Sequence, residues 1–478
     1  MIGETSAEAL TRSQRAFLEA FVLAAVIVWS PLKLLAYFAP LISLGWYAIR
    51  SGDSRPMRSV ALWGAGWACV ISIHGLANGE MNMPAAFMAP LTYGSFIWLT
   101  SVRGVSLRSN VLLRRVFRTV VVVAVVEATV GLVQAAYGFA RTRSFDLAAG
   151  DHVEGTIDLA LEPDRAFSNP IFAAAMASMF IFLIASATLF RKGWGMAALV
   201  AVALLLASVV HVLLFAMTAM LAAALLVPRV TTGWFRKSVP ALVLLAAIGS
   251  VFVVTQPRNA AAIRLLVEEK LAGRDPRSAV TARALAQMPR EYPSMIAWGL
   301  GPGQFSSRAA LIGTGLYFGG PLNPRPLPFI RGDISEPQDR FLMDLWLAAA
   351  RAGDYGYGSS QQPYYSWLSV YTEFGLLAVA LVVLTLVWAL LRLAKQARSP
   401  GPLAWSVGAG AMVVFIALLG AQENYWEIPQ ALLLPVLLLK LMWSQAEEPP
   451  GSKAQGKAHG GLPADRPRRG PRNQPTPV

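Results

Sequence analysis

The sequence predicts an all-α polytopic membrane protein with about twelve transmembrane helices and one large extracytoplasmic loop. Apolar residues make up 55% of the 478 residues and charged residues only 14%, whereas soluble domains contain about 45–50% and about 25%. The mean hydropathy is +0.50, and apolar runs of about 17 residues or more recur along most of the chain. Such solid apolar blocks indicate helices, because the strands of a membrane barrel alternate in hydrophobicity.

The apolar runs divide into predicted transmembrane spans. The unbroken stretch from Met196 to Val227 would measure about 48 Å as one helix, at about 1.5 Å per residue. That length is too great for one crossing, so we interpret it as two short spans. The predicted spans are 16–30, 34–49, 59–77, 84–100, 119–138, 167–190, 196–211, 213–227, 239–256, 366–391, 403–422 and 429–443.

Arginine and lysine cluster in every second loop between these spans and at both termini. The positive-inside rule therefore predicts cytoplasmic N- and C-termini. It also explains most of the net charge of +14 without nucleic-acid binding. The loops 139–166 and 257–365 then face the opposite side of the membrane.

This topology divides the chain into four parts. Residues 1–256 contain predicted transmembrane helices 1–9 and the outer loop 139–166, and residues 257–365 form the large outer loop. Within the large loop, Arg258–Arg274 and Asp339–Arg351 have the apolar spacing of amphipathic helices. Residues 366–443 contain helices 10–12, and residues 444–478 are predicted to be a disordered basic cytoplasmic tail.

Few residues are suited to metal or nucleotide chemistry. The single cysteine, Cys69, lies in an apolar run, and none of the four histidines has a partner at metal-ligand spacing. A structural role is favoured for His74 and His211, and His152 is left open. The large outer loop is instead rich in arginine, with twelve Arg and Lys residues and nine acids. Long loops cross the membrane largely regardless of charge, but arginine also binds phosphate bidentately and suits a phosphorylated, membrane-anchored substrate.

Three stretches resemble motifs of the bacterial O-antigen ligase and polysaccharide polymerase family. Arg165–Ala173 (RAFSNPIFA) resembles an arginine followed by Asn-Pro at the start of a span. Arg277–Phe305 (RSAVTARALAQMPREYPSMIAWGLGPGQF) resembles an arginine, an amphipathic stretch and a G-x-G-x-G-x-F turn. Tyr364–Leu377 (YYSWLSVYTEFGLL) resembles the motif that closes the large loop with Glu-x-Gly. Topology and motif order agree with this resemblance.

The resemblance implies a metal-independent, inverting glycosyltransferase without a cofactor in the bacterial inner membrane. Such enzymes transfer or polymerise glycans from undecaprenyl pyrophosphate onto a glycan or lipid acceptor at the periplasmic face. The implied partners are this donor, the acceptor, the membrane and polysaccharide assembly proteins, and no nucleic acid. Arginines could stabilise the pyrophosphate leaving group in place of a metal.

The resemblance also assigns roles to individual residues. Arg165 and Tyr364 are the predicted catalytic residues. Arg165, together with Arg277 or Arg283, is predicted to bind pyrophosphate, although structural pairing is equally open for the last two. Gln304 is placed with the substrate-binding residues. The predicted structural motif residues are Asn169, Gly299, Gly301, Gly303, Glu373 and Gly375.

The sequence departs from the family pattern at the late motif. Tyr364 and Tyr365 stand where the family has His-Asn, and the family's Ser-Arg is missing near Met217-Thr218. A tyrosine, with a pKa near 10, is a poor base at neutral pH. Because the missing histidine is most characteristic of the ligases, a polymerase is favoured over a ligase. The alternatives are a transporter or flippase of lipid-linked glycans and a catalytically divergent assembly scaffold.

Overall fold

In the residues that the computed structural model describes, all regular secondary structure is helical and no β-strand occurs. The described residues are 9–78, 81–143, 153–157, 169–187, 189–190, 192–207, 209–226, 264, 268, 275–328, 332–351, 363–397 and 403–447. The helices of eight or more residues are α1 (Arg12–Val28), α2 (Ala39–Ser51), α3 (Arg55–Asn78), α4 (Met83–Thr92), α5 (Asn110–Thr142), α6 (Asn169–Ser186), α7 (Lys192–Leu206), α8 (Val210–Leu226), α9 (Pro276–Ala286), α10 (Asp344–Arg351), α11 (Ser366–Gln396), α12 (Leu403–Gln422) and α13 (Pro429–Ala446). Shorter helical segments are Lys33–Ala36, Gly94–Phe96, Ile97–Ser101, Gly104–Leu107, Met288–Glu291, Pro293–Ile296, Arg308–Gly313, Leu316–Gly319, Glu336–Gln338, Asp339–Met343 and Tyr425–Glu427.

Several helices are apolar enough to lie in a membrane. Among the described residues, α3, α5, α11 and α12 are the four helices long and apolar enough to cross it, and α6, α7 and α8 are shorter apolar helices. Large apolar side chains project from the outer surface of α3 and α11: Leu76 is 89% exposed and Leu381 67%. Apolar patches of this size are unfavourable in contact with water and favourable in contact with lipid. The chain is therefore a membrane protein.

The structure refines the predicted spans in three places. The stretch from Met196 to Val227 contains the end of α7 and the whole of α8, which confirms the prediction of two helices there. The predicted span 84–100 is interrupted, because α4 ends at Thr92 and two short helical segments follow it. The predicted span 239–256 and residues 448–478 lie outside the described residues, and the predicted tail 444–478 begins within a helix, because α13 continues to Ala446.

The core of the bundle is formed by α6, α12 and α13, whose side chains are mostly buried. Phe172 and Phe182 of α6 are fully buried, and the Phe182 ring packs against Trp405 of α12 at 6.1 Å between centroids. Dispersion contacts of this kind hold membrane helices together, since lipid provides no hydrophobic drive for their association.

Contacts between loops and helix termini form two groups, one at each end of the helices. At one end, which we call the basic end, Arg12 Nε donates to the carbonyl of Arg50 at 2.8 Å. Arg392 pairs with Glu447 there at 3.0 Å. These contacts involve the start of α1 and the finish of α11 and α13.

The other end, which we call the site end, joins the opposite termini of the same helices. The hydroxyl of Thr156 donates to the carbonyl of Trp29, just after α1, at 3.0 Å. The backbone N–H of Ser366, at the start of α11, donates to the carbonyl of Glu423 at 3.1 Å. The contacts of Arg12 and Arg392 therefore lie at the opposite end of α1 and α11 from the contacts of Thr156 and Ser366.

Candidate functional site

At the site end, a turn that contains Gly299, Gly301 and Gly303, which we call the glycine turn, packs against a kink in α11. Gly375 interrupts α11 with φ +75° and ψ −177°, a backbone conformation essentially restricted to glycine. A Cβ at Gly375 would lie 2.3 Å from the carbonyl oxygen of Ala297, and one at Gly299 would lie 2.2 Å from the backbone of Glu373. The N–H of Gly301 donates to the carbonyl of Glu373 at 3.0 Å. The two backbones can approach this closely only because side chains are absent.

The carboxyl of Glu373 fixes the segment that follows this turn. It accepts hydrogen bonds from the backbone N–H groups of Gly303 at 2.7 Å, Phe305 at 3.1 Å and Ser307 at 3.1 Å. Three such bonds satisfy donors that would otherwise be buried without partners. These contacts match the structural role expected of Glu373, and they hold the next residue, Arg308, in place.

Glu427, in the loop between α12 and α13, supports Arg308 from the other side. Its carboxyl accepts a hydrogen bond from the backbone N–H of Arg308 and another from the side-chain amide of Asn424, the latter at 2.9 Å. Burial, together with the neighbouring carboxyl of Glu373, raises the pKa of Glu427 to about 8. This shift favours the protonated, neutral form of the Glu427 carboxyl.

Arg308 is a buried cation surrounded by aromatic rings. Only 5% of its surface is exposed, and its guanidinium lies 4.8 Å from the Tyr317 ring centroid and 5.8 Å from that of Tyr364. Cation–π contacts of this kind stabilise a guanidinium that has lost its water. Its Nε is buried and has no hydrogen-bond partner within the part of the chain that the structure describes. A buried donor in this state is suited to a ligand acceptor.

Tyr364 forms one wall of this arginine site. Its ring is buried and packs edge-on against Trp346 of α10, with 5.3 Å between centroids. Burial raises the pKa of the Tyr364 phenol above its ordinary value, although Arg308 partly opposes the effect. Tyr364 is thus a neutral hydrogen-bonding group at neutral pH.

A second buried arginine, Arg277, lies at the start of α9. It is 7% exposed, and its guanidinium is 6.0 Å from the centroid of the Tyr365 ring. The Tyr365 hydroxyl is 3.1 Å from the hydroxyl of Thr281, one turn further along α9. Burial lowers the pKa of Arg277, and the nearby carboxyl of Glu423 opposes that shift.

Glu423 is the acidic residue that interacts with both arginines. Its backbone carbonyl accepts hydrogen bonds from both the N–H and the hydroxyl of Ser366, each at 3.1 Å. Its buried carboxyl interacts electrostatically with Arg308 and Arg277, and burial raises its pKa in spite of them. We call Arg277, Arg308, Tyr364, Tyr365 and Glu423 the arginine cluster.

Two of the predicted substrate-binding residues lie outside this cluster. Arg283 makes a two-pronged ion pair with Asp344, at 2.7 and 2.9 Å, which is the structural pairing left open by the sequence. The side-chain amide of Gln304 accepts from the backbone N–H of Asn82 at 2.9 Å and donates to the carbonyl of Pro302 at 3.0 Å. Both side chains are engaged in holding the loop together.

Two predicted site residues, Arg165 and Asn169, lie just before α6 and at its start. Arg165 lies outside the described residues, and Asn169 begins α6 without a described side chain. Their predicted roles stay predictions. Within the described ranges, no group of three His, Cys, Asp or Glu side chains is arranged to hold a metal ion.

Sequence reasoning did not single out Arg308 or the two buried acids near it, Glu423 and Glu427. Arg308 was one of many loop arginines, and Glu423 and Glu427 lie in the short segment QENYWE between two apolar spans. Acids packed into a tight interspan loop were a usable signal, because buried charge is costly unless it has a partner or a function. His74 is another unanticipated neighbour, since its side chain lies beside Gly301.

Comparison of the chain with protein-family models, with curated proteins and with solved structures gave no match. Two buried guanidiniums, a tyrosine hydroxyl and a carboxyl meet at one end of a membrane helix bundle. Such an arrangement can bind an anion, orient a hydroxyl and accept a proton.

Proposed function

We propose that the protein is an inner-membrane glycosyltransferase that transfers or polymerises undecaprenyl-pyrophosphate-linked glycan units at the periplasmic face. The observation that carries this proposal is the pair of buried arginines, Arg277 and Arg308, beside Tyr364 at the site end. The resemblance of three sequence stretches to O-antigen ligases and polysaccharide polymerases supports it, since two of those stretches supply Arg277 and Tyr364.

The charge of the cluster suits a pyrophosphate leaving group. As the glycosidic bond breaks, negative charge develops on the pyrophosphate, and guanidiniums bind such oxygens bidentately while remaining charged. Both arginines are buried, and in a site with little water each contact is stronger than it would be in solution. A lipid-linked donor would bring its headgroup to this end of the helices.

Arg308 is also preorganised, which catalysis by electrostatic stabilisation requires. Glu427 accepts from its backbone N–H, and the rings of Tyr317 and Tyr364 flank its guanidinium. Because the protein itself holds Arg308, little reorganisation is needed when charge develops on the donor. A surface arginine would have to be ordered by the substrate at an entropic cost.

The test compares Arg277→Gln and Arg308→Gln with wild-type protein in nanodiscs that contain a lipid-pyrophosphate-linked glycan and an acceptor. We expect each variant to lose at least about 10²-fold in product formation and to bind the donor more weakly, because one charged donor has been removed. Arg→Lys at either position should restore little, since an ammonium cannot reproduce the planar fork. Arg340→Gln is the matched control, because Arg340 is an exposed loop arginine that pairs with Glu291 at 2.5 Å.

Two results would count against the proposal. Wild-type product formation in both Gln variants would remove the arginines from the reaction. Movement of a fluorescent lipid-linked glycan across the bilayer with its glycosidic bond intact, and no new bond formed, would favour a transporter or flippase instead. An assembly scaffold would show neither activity and no response to the arginine substitutions.

A further inference from the structure

The carboxyl of Glu423 lies in the midst of the arginine cluster, where a transfer reaction needs a group that accepts a proton. We infer that Glu423 is the general base that takes the proton from the acceptor hydroxyl. This inference rests on the proposed function and names a catalytic residue that the sequence did not suggest.

Both the backbone and the side chain of Glu423 have contacts that position the residue. Its backbone carbonyl is bound by the N–H and hydroxyl of Ser366, so the residue is fixed to the start of α11. Its carboxyl interacts electrostatically with Arg277 and Arg308 and with the phenols of Tyr364 and Tyr425. In the proposed complex the arginines hold the pyrophosphate that is bonded to the anomeric carbon, so the inference requires the acceptor hydroxyl to lie between this carboxyl and the face of that carbon opposite the pyrophosphate.

The neighbouring buried acids are committed to other partners. Glu373 accepts from the backbone of Gly303, Phe305 and Ser307. Glu427 accepts from the backbone N–H of Arg308 and from Asn424. Their acceptor positions are engaged by donors that hold the loops together, whereas the partners of the Glu423 carboxyl are the two arginines and the Tyr425 phenol at the cluster itself.

Tyrosine and histidine are weaker candidates for the same role. The Tyr364 phenol is buried and its pKa is raised, so the phenolate needed for a base is scarce at neutral pH. The side chain of His74 lies against Gly301, at the glycine turn. Nothing in its described contacts brings it to Arg277 or Arg308. Burial raises the pKa of Glu423, which makes its carboxylate a stronger base than an exposed glutamate.

The step balances without any further reactant. The acceptor hydroxyl oxygen forms a bond to the anomeric carbon of the donor, and its proton passes to the Glu423 carboxylate. The bond between the anomeric carbon and the pyrophosphate oxygen breaks, and its electron pair stays on the pyrophosphate, where Arg277 and Arg308 stabilise it. The proton on Glu423 is then released to solvent, which restores the carboxylate.

The experiment measures turnover and donor binding separately in Glu423→Gln, using a lipid-pyrophosphate-linked glycan as the probe. Turnover at saturating substrates should fall about 10²–10⁴-fold, the range for general bases. Donor binding should be unchanged or tighter, because a negative charge beside the arginines has been removed. Glu423→Asp should recover part of the turnover. Wild-type turnover should fall as the pH is lowered through the Glu423 pKa, whereas the residual turnover of Glu423→Gln should not follow that titration.

Glu447→Gln is the matched control, because Glu447 pairs with Arg392 at the basic end, and it should behave as wild type. Wild-type turnover in Glu423→Gln would overturn the inference. So would a loss of turnover explained entirely by weaker donor binding, since Glu423 would then only position the arginines. Loss of turnover in His74→Gln, with donor binding kept and Glu423→Gln active, would make the histidine the base. If Glu423→Gln does not accumulate, Glu423→Asp decides: wild-type turnover and an unchanged pH profile would overturn the inference.

A failure of the proposed function looks different from these outcomes. In that case the wild-type protein does not bind the lipid-pyrophosphate donor, or Arg277→Gln and Arg308→Gln bind it as tightly as wild type. Loss of turnover in Glu423→Gln alone, with donor binding dependent on both arginines, supports the proposed function and the inference together.

Discussion

At position 364 the side chain combines a ring that packs with a hydroxyl that can only donate or accept a hydrogen bond. The ring contacts Trp346 and flanks Arg308, so its aromatic surface holds the guanidinium in place. Burial raises the pKa of the phenol and keeps it protonated. The hydroxyl can therefore orient a substrate, whereas proton removal must fall to another group.

Tyr364→Phe is predicted to slow product formation by about 10²-fold or less, because it removes one hydrogen bond and keeps the ring. The pH profile near neutrality should not change. Tyr364→His should be tolerated, and product formation is measured as glycan chain length per unit time. Tyr371→Phe is the control, because Tyr371 is a half-exposed tyrosine in α11, the helix that begins two residues after Tyr364. Complete loss in Tyr364→His with wild-type activity in Tyr364→Phe would show that position 364 serves packing alone.

The sequence indicated Arg277 and Tyr364, because both lie in stretches with recognisable spacing. It did not separate Arg283 from Arg308, since side-chain direction and pairing partners are decided by tertiary contacts. Arg283 meets Asp344, 61 residues away, whereas the backbone of Arg308 meets Glu427, 119 residues away. Contacts over such distances along the chain leave no local pattern.

At the scale of the element, α11 consists of two helical parts separated by a kink at Gly375, where the helix meets the glycine turn. The first part of α11 carries Ser366 and Glu373 to the site, and the part after Gly375 exposes apolar side chains. The hydrogen bond from Gly301 N–H to the carbonyl of Glu373 uses a backbone acceptor at this kink. The kink therefore converts a membrane helix into a support for the loop that positions Arg308.

Gly375→Ala is predicted to destabilise the protein strongly. The backbone conformation alone costs a non-glycine residue about 1–3 kcal/mol, and the new Cβ would lie 2.3 Å from the carbonyl oxygen of Ala297. The measurement is the midpoint of thermal unfolding in detergent, followed by size-exclusion chromatography. Gly66→Ala is the control, because Gly66 lies within α3 with no atom within 4 Å of an added Cβ. It should be neutral or stabilising by up to about 1 kcal/mol. Equal midpoints for the two variants would refute the packing argument.

Apolar runs predicted most helices well because burial in lipid depends on composition, which a sequence displays directly. They did not predict the interruption of the span 84–100, where α4 contains Pro90 and ends at Thr92 before a short 3-10 segment. Proline removes a backbone donor, and its effect on a helix depends on what satisfies the freed carbonyl. The helix ends two residues after Pro90, and the Pro90 carbonyl accepts a hydrogen bond from the Trp63 indole of α3 at 3.1 Å, a contact that the apolar pattern does not show.

At the scale of the whole molecule, the arginine cluster and the basic loops lie at opposite ends of the bundle. Arg12 and Arg392 make their contacts, with Arg50 and Glu447, at the basic end. Ser366 and Glu423 contact each other at the site end. If the basic end faces the cytoplasm, as the positive-inside rule predicts, the cluster faces the periplasm. A lipid-linked glycan would meet the site only after it had crossed the membrane, so this orientation is a condition of the proposed function.

The orientation can be tested by cysteine labelling, because the chain has a single cysteine, Cys69. In a Cys69→Ser background, Asp339→Cys should react with a membrane-impermeant maleimide added to intact spheroplasts, since Asp339 is exposed at the site end. Ser54→Cys and Lys395→Cys, exposed at the basic end, should react only after the membrane is permeabilised. The Cys69→Ser protein without a new cysteine controls for background labelling. The reverse pattern would place the arginine cluster in the cytoplasm, where the proposed periplasmic transfer could not occur.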